Sequence, residues 1–257
     1  MSWDPDLYHR FATERLRPSA DLLAWIPLAA PAAIVDLGCS AGESTTLLAG
    51  RWPEAEITAL ESSTRMLELA RASGVAARWV EADLADWTPA VAPVLIYSNA
   101  VFHWLDDHER LLLRLLGQLA PGGVLAVQMP LNHAAPSHRC VAEAVAAGPW
   151  RARLTPLWRD RPVGEPETYR DGFQELAANV EIWETTYHHV LDGDNPVAEW
   201  VRGTTLSPLL AALGPDDADA FYVDCAGRLA RAYPVRADGT TVLAFRRLLI
   251  IAQATDS

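Results

Sequence analysis

Three acids recur at one kind of place in this chain. Asp36 lies in Ala33-Ile-Val-Asp-Leu37, Glu61 closes Ile57-Thr-Ala-Leu-Glu61, and Asp83 follows Trp79-Val-Glu81 by two residues. Between the first two apolar runs stands a glycine-flanked turn, Gly38-Cys-Ser-Ala-Gly42. Glycines between a strand and a helix mark a place where backbone must come close to a ligand. An acid ending the second strand, 19 residues past Gly42, sits where a carboxylate accepts hydrogen bonds from both hydroxyls of a ribose. A carboxylate there also repels a 2'-phosphate, and Asp83 stands where an adenine amino group can be read. Together the acids point to a nucleoside held at the carboxyl edge of a sheet.

The glycines alone would not carry that reading. Read as G-x-G-x-x-G the turn fails, because position 40 is Ser and position 43 is Glu, so a plain strand-to-helix turn remains open on the glycine pattern. The acids discriminate between cofactors. A dinucleotide brings a pyrophosphate to the helix N-terminus, where Glu43 would repel it. S-adenosylmethionine has no phosphate and carries a sulfonium cation, which acidic surroundings favour.

These residues need a scaffold, and the alternation of short apolar runs with helical patterns supplies one. Ala33 to Leu37, Ile57 to Leu60, Ala77 to Val80, Val94 to Ser98 and Val124 to Gln128 read as strands. Glu43 to Arg51, Arg65 to Ser73 and Asp107 to Leu119 read as helices between them, after an N-terminal helix carrying Leu22, Leu23 and Ile26. Strands spaced by helices of this length imply right-handed crossovers and a parallel sheet covered on both faces. From about Pro130 the rhythm changes. Pro and Arg punctuate residues 149 to 166 without a period, as in a loop or cap. Val180 to Leu191 then reads as a strand, Pro196 to Tyr233 is helix-rich, and Thr240 to Ala254 closes as a strand.

Composition bounds the rest. The chain has 257 residues, half of them hydrophobic, and no uninterrupted apolar run of the roughly 18 to 20 residues that span a membrane. A formal charge of -12 with singly scattered Arg argues against nucleic acid as a partner. Cys39, Cys140 and Cys225 are far apart and form no CxxC pair, and no His or acid pair has ligand spacing, so no metal is expected. The N-terminus lacks a basic segment followed by an apolar one. A cytoplasmic monomer is the expectation.

The segments VDLGCSAG, ALESS, EADL, SNAVFHW and LAPGGVLAVQMP resemble those of the class I S-adenosylmethionine-dependent methyltransferases. More closely, the chain is similar to the trans-aconitate 2-methyltransferases, through ERLRP (14 to 18), FHWLDDH (102 to 108), VQMPLNHAAPSH (127 to 138), VEIWETTYHH (180 to 189) and AYPVRADG (232 to 239). The likeness runs from near the start of the chain to near its end. It implies an α/β fold with a Rossmann-like seven-stranded sheet, the last strand antiparallel, and a helical cap. The expected organisation is one methyltransferase domain over 1-257, with an N-terminal lid segment at 1-30 and cap insertions at 130-178 and 192-240.

The resemblance also implies S-adenosylmethionine as cofactor, held by Asp36, the turn residues Gly38, Ser40 and Gly42, Glu61 and Ser62 at the ribose, Met66, Asp83 and Leu84 at the adenine, and Asn99, Ala100 and Trp104 after the fourth strand. Two departures bear on function. The family pattern has Gly where Ser40 stands, which the turn accommodates if the Ser40 φ stays negative. It has Gly or a polar residue where Leu131 stands, near the expected acceptor pocket.

Methylation of a trans-aconitate carboxylate gives an ester. The nucleophile is ionised at neutral pH, its pKa being near ~4, so no general base is required and no catalytic side chain is assigned. Catalysis then rests on placement and exclusion of water. The carboxylates that do not react need Arg clamps, for which Arg15, Arg17, Arg202 and Arg247 are the candidates. Tyr8, His103, His133 and Tyr187 complete the expected acceptor set. His188 and His189, adjacent in a strand, must face opposite sides. Two other readings are a methyltransferase for a less charged small molecule, favoured by Leu131 and the acidic charge, and a cofactor-binding protein without catalysis, supported by Ser40 alone.

Overall fold

The computed structural model describes residues 12–256, and Tyr8 lies outside the described residues. The chain forms two compact units. The larger comprises Arg15–Pro130, Val163–Thr185 and the segment from Arg247, and the smaller comprises Leu131–Pro162 and Thr186–Arg246 with the segment ending at Glu14.

Helix α1 (Ala12–Trp25) leads into β1 (Ala33–Leu37), α2 (Glu43–Arg51), β2 (Glu56–Glu61), α3 (Thr64–Ala72), β3 (Arg78–Glu81), β4 (Leu95–Asn99), α4 (His108–Leu116) and β5 (Val124–Pro130). Each helix begins where its sequence permits. Gly42, at φ 94°, turns the chain into α2, and the Ser63 hydroxyl accepts from the Met66 N–H at the start of α3. On α4, Leu111, Leu112, Leu115 and Leu116 repeat at helical spacing and bury one face.

The chain continues through α5 (Pro136–Ala147), α6 (Arg151–Leu154), α7 (Pro166–Phe173), β6 (Ala177–Asp192), α8 (Pro196–Arg202), α9 (Ser207–Ala211), α10 (Pro215–Ala232) and β7 (Thr240–Ala254). Helices α5, α7, α8 and α10 open on proline, whose missing N–H has no helical partner at that position. The stretch 149 to 166, aperiodic in sequence, holds the single-turn helix α6 and a 3-10 turn at Thr155–Leu157, each too short to show a period.

Seven strands form one sheet in the order β3-β2-β1-β4-β5-β7-β6. The first five pair in parallel, and β7 runs antiparallel to β5 with Gln128 opposite Leu249 and Pro130 opposite Arg247. The expected mixed sheet with an antiparallel last strand is therefore present. The order reverses direction at β1 and β4, and a crevice at such a switch point is where open α/β sheets bind ligands.

One face of this sheet carries Ile34, Leu95, Tyr97, Val124, Ala126, Leu249 and Ile251, which pack with Leu22, Leu23 and Ile26 of the α1 region and Leu48 of α2. Tyr97 anchors α1 by donating to the Ser19 carbonyl at 2.8 Å beneath that layer. The smaller unit has its own core, in which Val141, Val145, Trp150, Leu154, Trp200, Phe221 and Leu229 are buried. There the Trp150 indole meets Phe221 edge-on at 5.3 Å and donates to the Ala144 carbonyl at 2.8 Å. All three cysteines are buried free thiols.

Candidate active site

The turn after β1 is wound by three left-handed residues, Gly38 at φ 70°, Ser40 at φ 53° and Gly42 at φ 94°. It is stitched to β2, since the N–H groups of Gly38 and Cys39 both donate to the Leu60 carbonyl, at 2.8 and 2.9 Å. A Cβ at Gly38 would stand 2.4 Å from Val101 Cγ2, so no side chain fits there without displacing Val101. Ser40 corrects the sequence expectation. Its φ is positive, and what makes the conformation tolerable is that its N–H donates to Glu61 Oε2 at 3.0 Å. An L-residue in this region costs about 1 to 2 kcal/mol, partly offset in a comparison with Gly by the freer unfolded chain that Gly brings. Ser40→Gly is accordingly expected to leave the fold unchanged and to raise unfolding stability by up to about 1 kcal/mol in a denaturant titration.

Ala100 repeats the device one strand away. It sits at φ 58° immediately after β4, and its N–H donates to the Gln128 carbonyl at 2.8 Å. Non-glycine residues held at positive φ gather where geometry serves a ligand. Here two of them flank the switch point.

Asp36 is fully buried. Its Oδ2 accepts from the Ser44 and Thr45 hydroxyls of α2, each at 2.7 Å, whereas Oδ1 is buried with no partner. Burial pushes its carboxyl from the ordinary 3.8 up to about 6. The Thr45 and Ser44 hydroxyls oppose that rise, and the charges of Glu43 and Glu61 add to it. Because the folded pKa lies above the unfolded one, the native state holds this proton more tightly. The resulting stability is full below pH ~4 and is lost as pH rises through about 6. The loss is roughly 3 kcal/mol. Asp36→Asn, which cannot ionise, is expected to remove that fall between pH 4 and 6 in denaturant titrations of the ligand-free protein.

Glu61 is half-buried at the end of β2, with Oε2 on the Ser40 N–H and Oε1 on the Ser63 N–H at 2.9 Å. The Ser62 hydroxyl lies 3.5 Å from the same Oε1, and Met66 is half-buried on the first turn of α3. Asp83 is exposed and closes its own turn by accepting from the Ala85 N–H at 2.9 Å, while Leu84 beside it is buried. Beyond β4, Trp104 stands in the 3-10 turn Phe102–Trp104 with 43% of its surface exposed, its ring 4.7 Å from that of His103.

One feature of the sheet joins several of these residues. Alternation puts residues two apart on the same face of a strand. The stripe Ile34 thus ends at Asp36, Leu95-Tyr97 at Asn99, Val124-Ala126 at Gln128, and, running the other way, Ile251-Leu249 at Arg247. The pairing register makes the row oblique, since Asn99 is level with Gln128, Asp36 is level with Tyr97 and so two residues short of Asn99, and Arg247 stands opposite Pro130, two residues beyond Gln128. Four neighbouring strands therefore carry a polar residue where the apolar layer stops. Three spacings of about 4.8 Å put β1 and β7 roughly 14 Å apart. The charge is graded along the row, from the acids of β1 and β2 through the two amides to the guanidinium of β7.

Arg247 is 4% exposed, and its Nη1 lies 3.4 Å from Gln128 Oε1. Asn99 Oδ1 and Gln128 Nε2 are buried with no partner. Gln128 was missed by sequence reasoning. A single amide two residues beyond Ala126, on the inward parity of Val-Leu-Ala-Val-Gln, was its one signal.

The other expected acceptor residues scatter. Arg15 is on α1 with its side chain outside the described residues. Arg17 is exposed and lies 3.9 Å from Asp21 one helical turn on. In the smaller unit, His133 is half-buried, Tyr187 is buried and stacks on His189 at 6.1 Å, and Arg202 is exposed with its guanidinium 4.8 Å from the Tyr222 ring. His189 is buried and His188 exposed, as strand alternation requires. Leu131 is buried and donates its N–H to the Arg246 carbonyl at 2.9 Å. Among the described residues no cluster of His, Cys, Asp and Glu could hold a metal ion.

Residues 34–123 match the family model described as a methyltransferase domain. The trans-aconitate 2-methyltransferase of Methylobacterium radiotolerans is 46% identical over 98% of this chain and 98% of its own, and that of Azoarcus sp. is 44% identical over the same shares. Among solved structures, the YcgJ protein of Bacillus subtilis superposes with a TM-score of 0.60 at 12% identity, covering 94% of this chain and all of that one, a likeness of fold.

Proposed function

The chain belongs to the trans-aconitate 2-methyltransferase family, and we propose that it esterifies one carboxylate of trans-aconitate or a closely related small polycarboxylate. It is a methyltransferase enzyme, and S-adenosylmethionine is its cofactor. When bound, this cofactor supplies a methyl group on a cationic sulfur, ready for transfer to an anionic oxygen. The residues present fit such a group, because two buried acceptor atoms without partners, Asp36 Oδ1 and Asn99 Oδ1, suit a ligand that is cationic and rich in N–H donors.

The observation that carries the proposal is the graded charge along the carboxyl edge of the sheet. In this reading the Gly38–Gly42 turn holds the amino-acid end of the cofactor, Glu61 and Ser62 take the ribose, and Asp83, Leu84 and Met66 take the adenine. Asn99, Ala100 and Trp104 border the transfer point. Arg247 holds a carboxylate of the acceptor that does not react. It leads the acceptor candidates because it is buried on the same row, whereas Arg17 and Arg202 are exposed.

An ionised carboxylate has no proton to remove, so the work left to the chain is to orient two ligands and exclude water. A guanidinium on the unreactive carboxylate leaves the attacking oxygen loosely held and so more nucleophilic. Tyr8, Arg15, His103, His133 and Tyr187 complete the proposed acceptor set. The molecule acts in this reading as a cytoplasmic monomer on small molecules. Among the described residues no helix is long and apolar enough to cross a membrane.

Salt tests the polycarboxylate part of the proposal. Charge pairing weakens as the Debye length falls from about 30 Å at 0.01 M to about 8 Å at 0.15 M. The KM for trans-aconitate is therefore expected to rise several-fold over that range while the Kd for S-adenosylhomocysteine moves little. A KM that ignores salt would favour the uncharged acceptor suggested by Leu131.

A further inference from the structure

We propose that Arg114 is a positioning residue for the base of the cofactor: from α4 it holds the 83 to 88 loop so that the Asp83 carboxylate faces the adenine amino group. This rests on the reading above in which Asp83 and Leu84 take the adenine, and goes beyond it by naming the group that sets their geometry.

Residues 82–94 join β3 to β4 and contain neither helix nor strand. Backbone groups in such a stretch have no regular partner within it and must find one elsewhere. Arg114 provides several at once. Its Nη1 donates to the Trp87 carbonyl at 2.8 Å and to the Thr88 hydroxyl at 3.4 Å. Its Nη2 donates to the Ala85 carbonyl at 2.7 Å and, over a longer 3.4 Å, to that of Leu84. The two short bonds are charge-assisted and so stronger than those between neutral amides. The anchor is firm, because Leu111, Leu112, Leu115 and Leu116 around Arg114 bury α4 in the core.

One peptide unit carries this hold to Asp83. The unit joining Leu84 to Ala85 presents its carbonyl to Arg114 Nη2 and its N–H to Asp83 Oδ1, the latter at 2.9 Å. A planar trans peptide points those two groups in opposite directions. Fixing the carbonyl therefore aims the N–H, and the N–H restrains one carboxylate oxygen. Asp83 is exposed, so neighbouring side chains do not pack it into a single rotamer and this restraint decides where it points. The adenine amino group is the proposed donor to its other oxygen.

A rival reading is that Arg114 only staples the loop to α4 and adds stability. The amino group of the base separates the two. S-inosylhomocysteine carries a ring carbonyl where S-adenosylhomocysteine carries that amino group, so a carboxylate held in place rejects it. Calorimetry would give the Kd of both ligands for wild type, Asp83→Ala, Arg114→Leu and Arg114→Lys, with melting curves reporting on the fold of each. The Lys variant keeps the charge and loses the planar fork, which preserves the test if Arg114→Leu folds poorly.

Wild type is expected to bind S-adenosylhomocysteine at least about tenfold more tightly than S-inosylhomocysteine. That ratio should fall below roughly threefold in Asp83→Ala and in Arg114→Leu, and lie between in Arg114→Lys. The wild-type ratio retained in both Arg114 variants, whatever their melting temperatures, would overturn the role given to Arg114. A wild type without the preference, or Asp83→Ala that keeps it, would instead remove the adenine reading of Asp83, and this assignment with it.

Discussion

Gly38→Ala should bind S-adenosylhomocysteine at least a hundredfold more weakly than wild type. Two costs combine. The residue sits at φ 70°, which charges an L-residue about 1 to 2 kcal/mol. Its new methyl would also meet Val101 Cγ2 at 2.4 Å and Cγ1 at 2.9 Å, an overpacking that costs typically 1 to 3 kcal/mol. Relief requires the turn or the start of the 3-10 segment to move, and the methionine part of the cofactor is proposed to lie against that turn. Melting should fall too, by several degrees for a chain of this size. Adding Val101→Ala removes the collision and leaves the backbone strain, so the double variant should recover part of the affinity. Full affinity in Gly38→Ala would show that the turn does not border the cofactor.

Arg247→Met should produce the second large effect, on the other ligand. Truncating one partner of a buried charge pair typically costs about 2 to 5 kcal/mol, so the KM for trans-aconitate is expected to rise by roughly 30-fold to 1,000-fold or more. Met keeps most of the volume and flexibility of the side chain, which limits the packing defect. S-adenosylhomocysteine affinity should stay within twofold of wild type. Arg247→Lys should fall between the two, because an ammonium supplies charge without the planar fork that matches a carboxylate. An unchanged KM in Arg247→Met would take Arg247 out of the acceptor site.

The strands and turn that carry the proposed cofactor residues were legible in the sequence because their signals are local. A strand, a glycine turn and an acid at the end of the next strand are set by short-range chemistry, and Asp36, Gly38, Gly42 and Glu61 all lie at the carboxyl edge where the pattern puts them. Ser40 was the exception in detail. Nothing in its type announces a positive φ, which comes from the closing of the turn onto Leu60 and Glu61.

The residues of the buried polar edge on β5 and β7 were harder to read because they come from strands far apart in the chain. Arg247 and Gln128 are 119 positions apart and meet only through the antiparallel pairing of β7 with β5. In sequence, Arg247 is one of many scattered arginines and Gln128 one polar residue in an apolar run. Burial is what separates Arg247 from Arg17 and Arg202. The smaller unit was obscure for another reason, since its one-turn helices around residues 149 to 166 are too short for a hydrophobic period.

The central claim is that this enzyme moves a methyl group onto a carboxylate of a small polycarboxylic acid. Its most direct test is transfer from labelled S-adenosylmethionine to trans-aconitate, with cis-aconitate, citrate and isocitrate in parallel and the ester position read by NMR and mass spectrometry. Efficient formation of a single trans-aconitate monoester, with weaker turnover of the other acids, is the expected result. Tight cofactor binding with no ester from any of the four acids would contradict it.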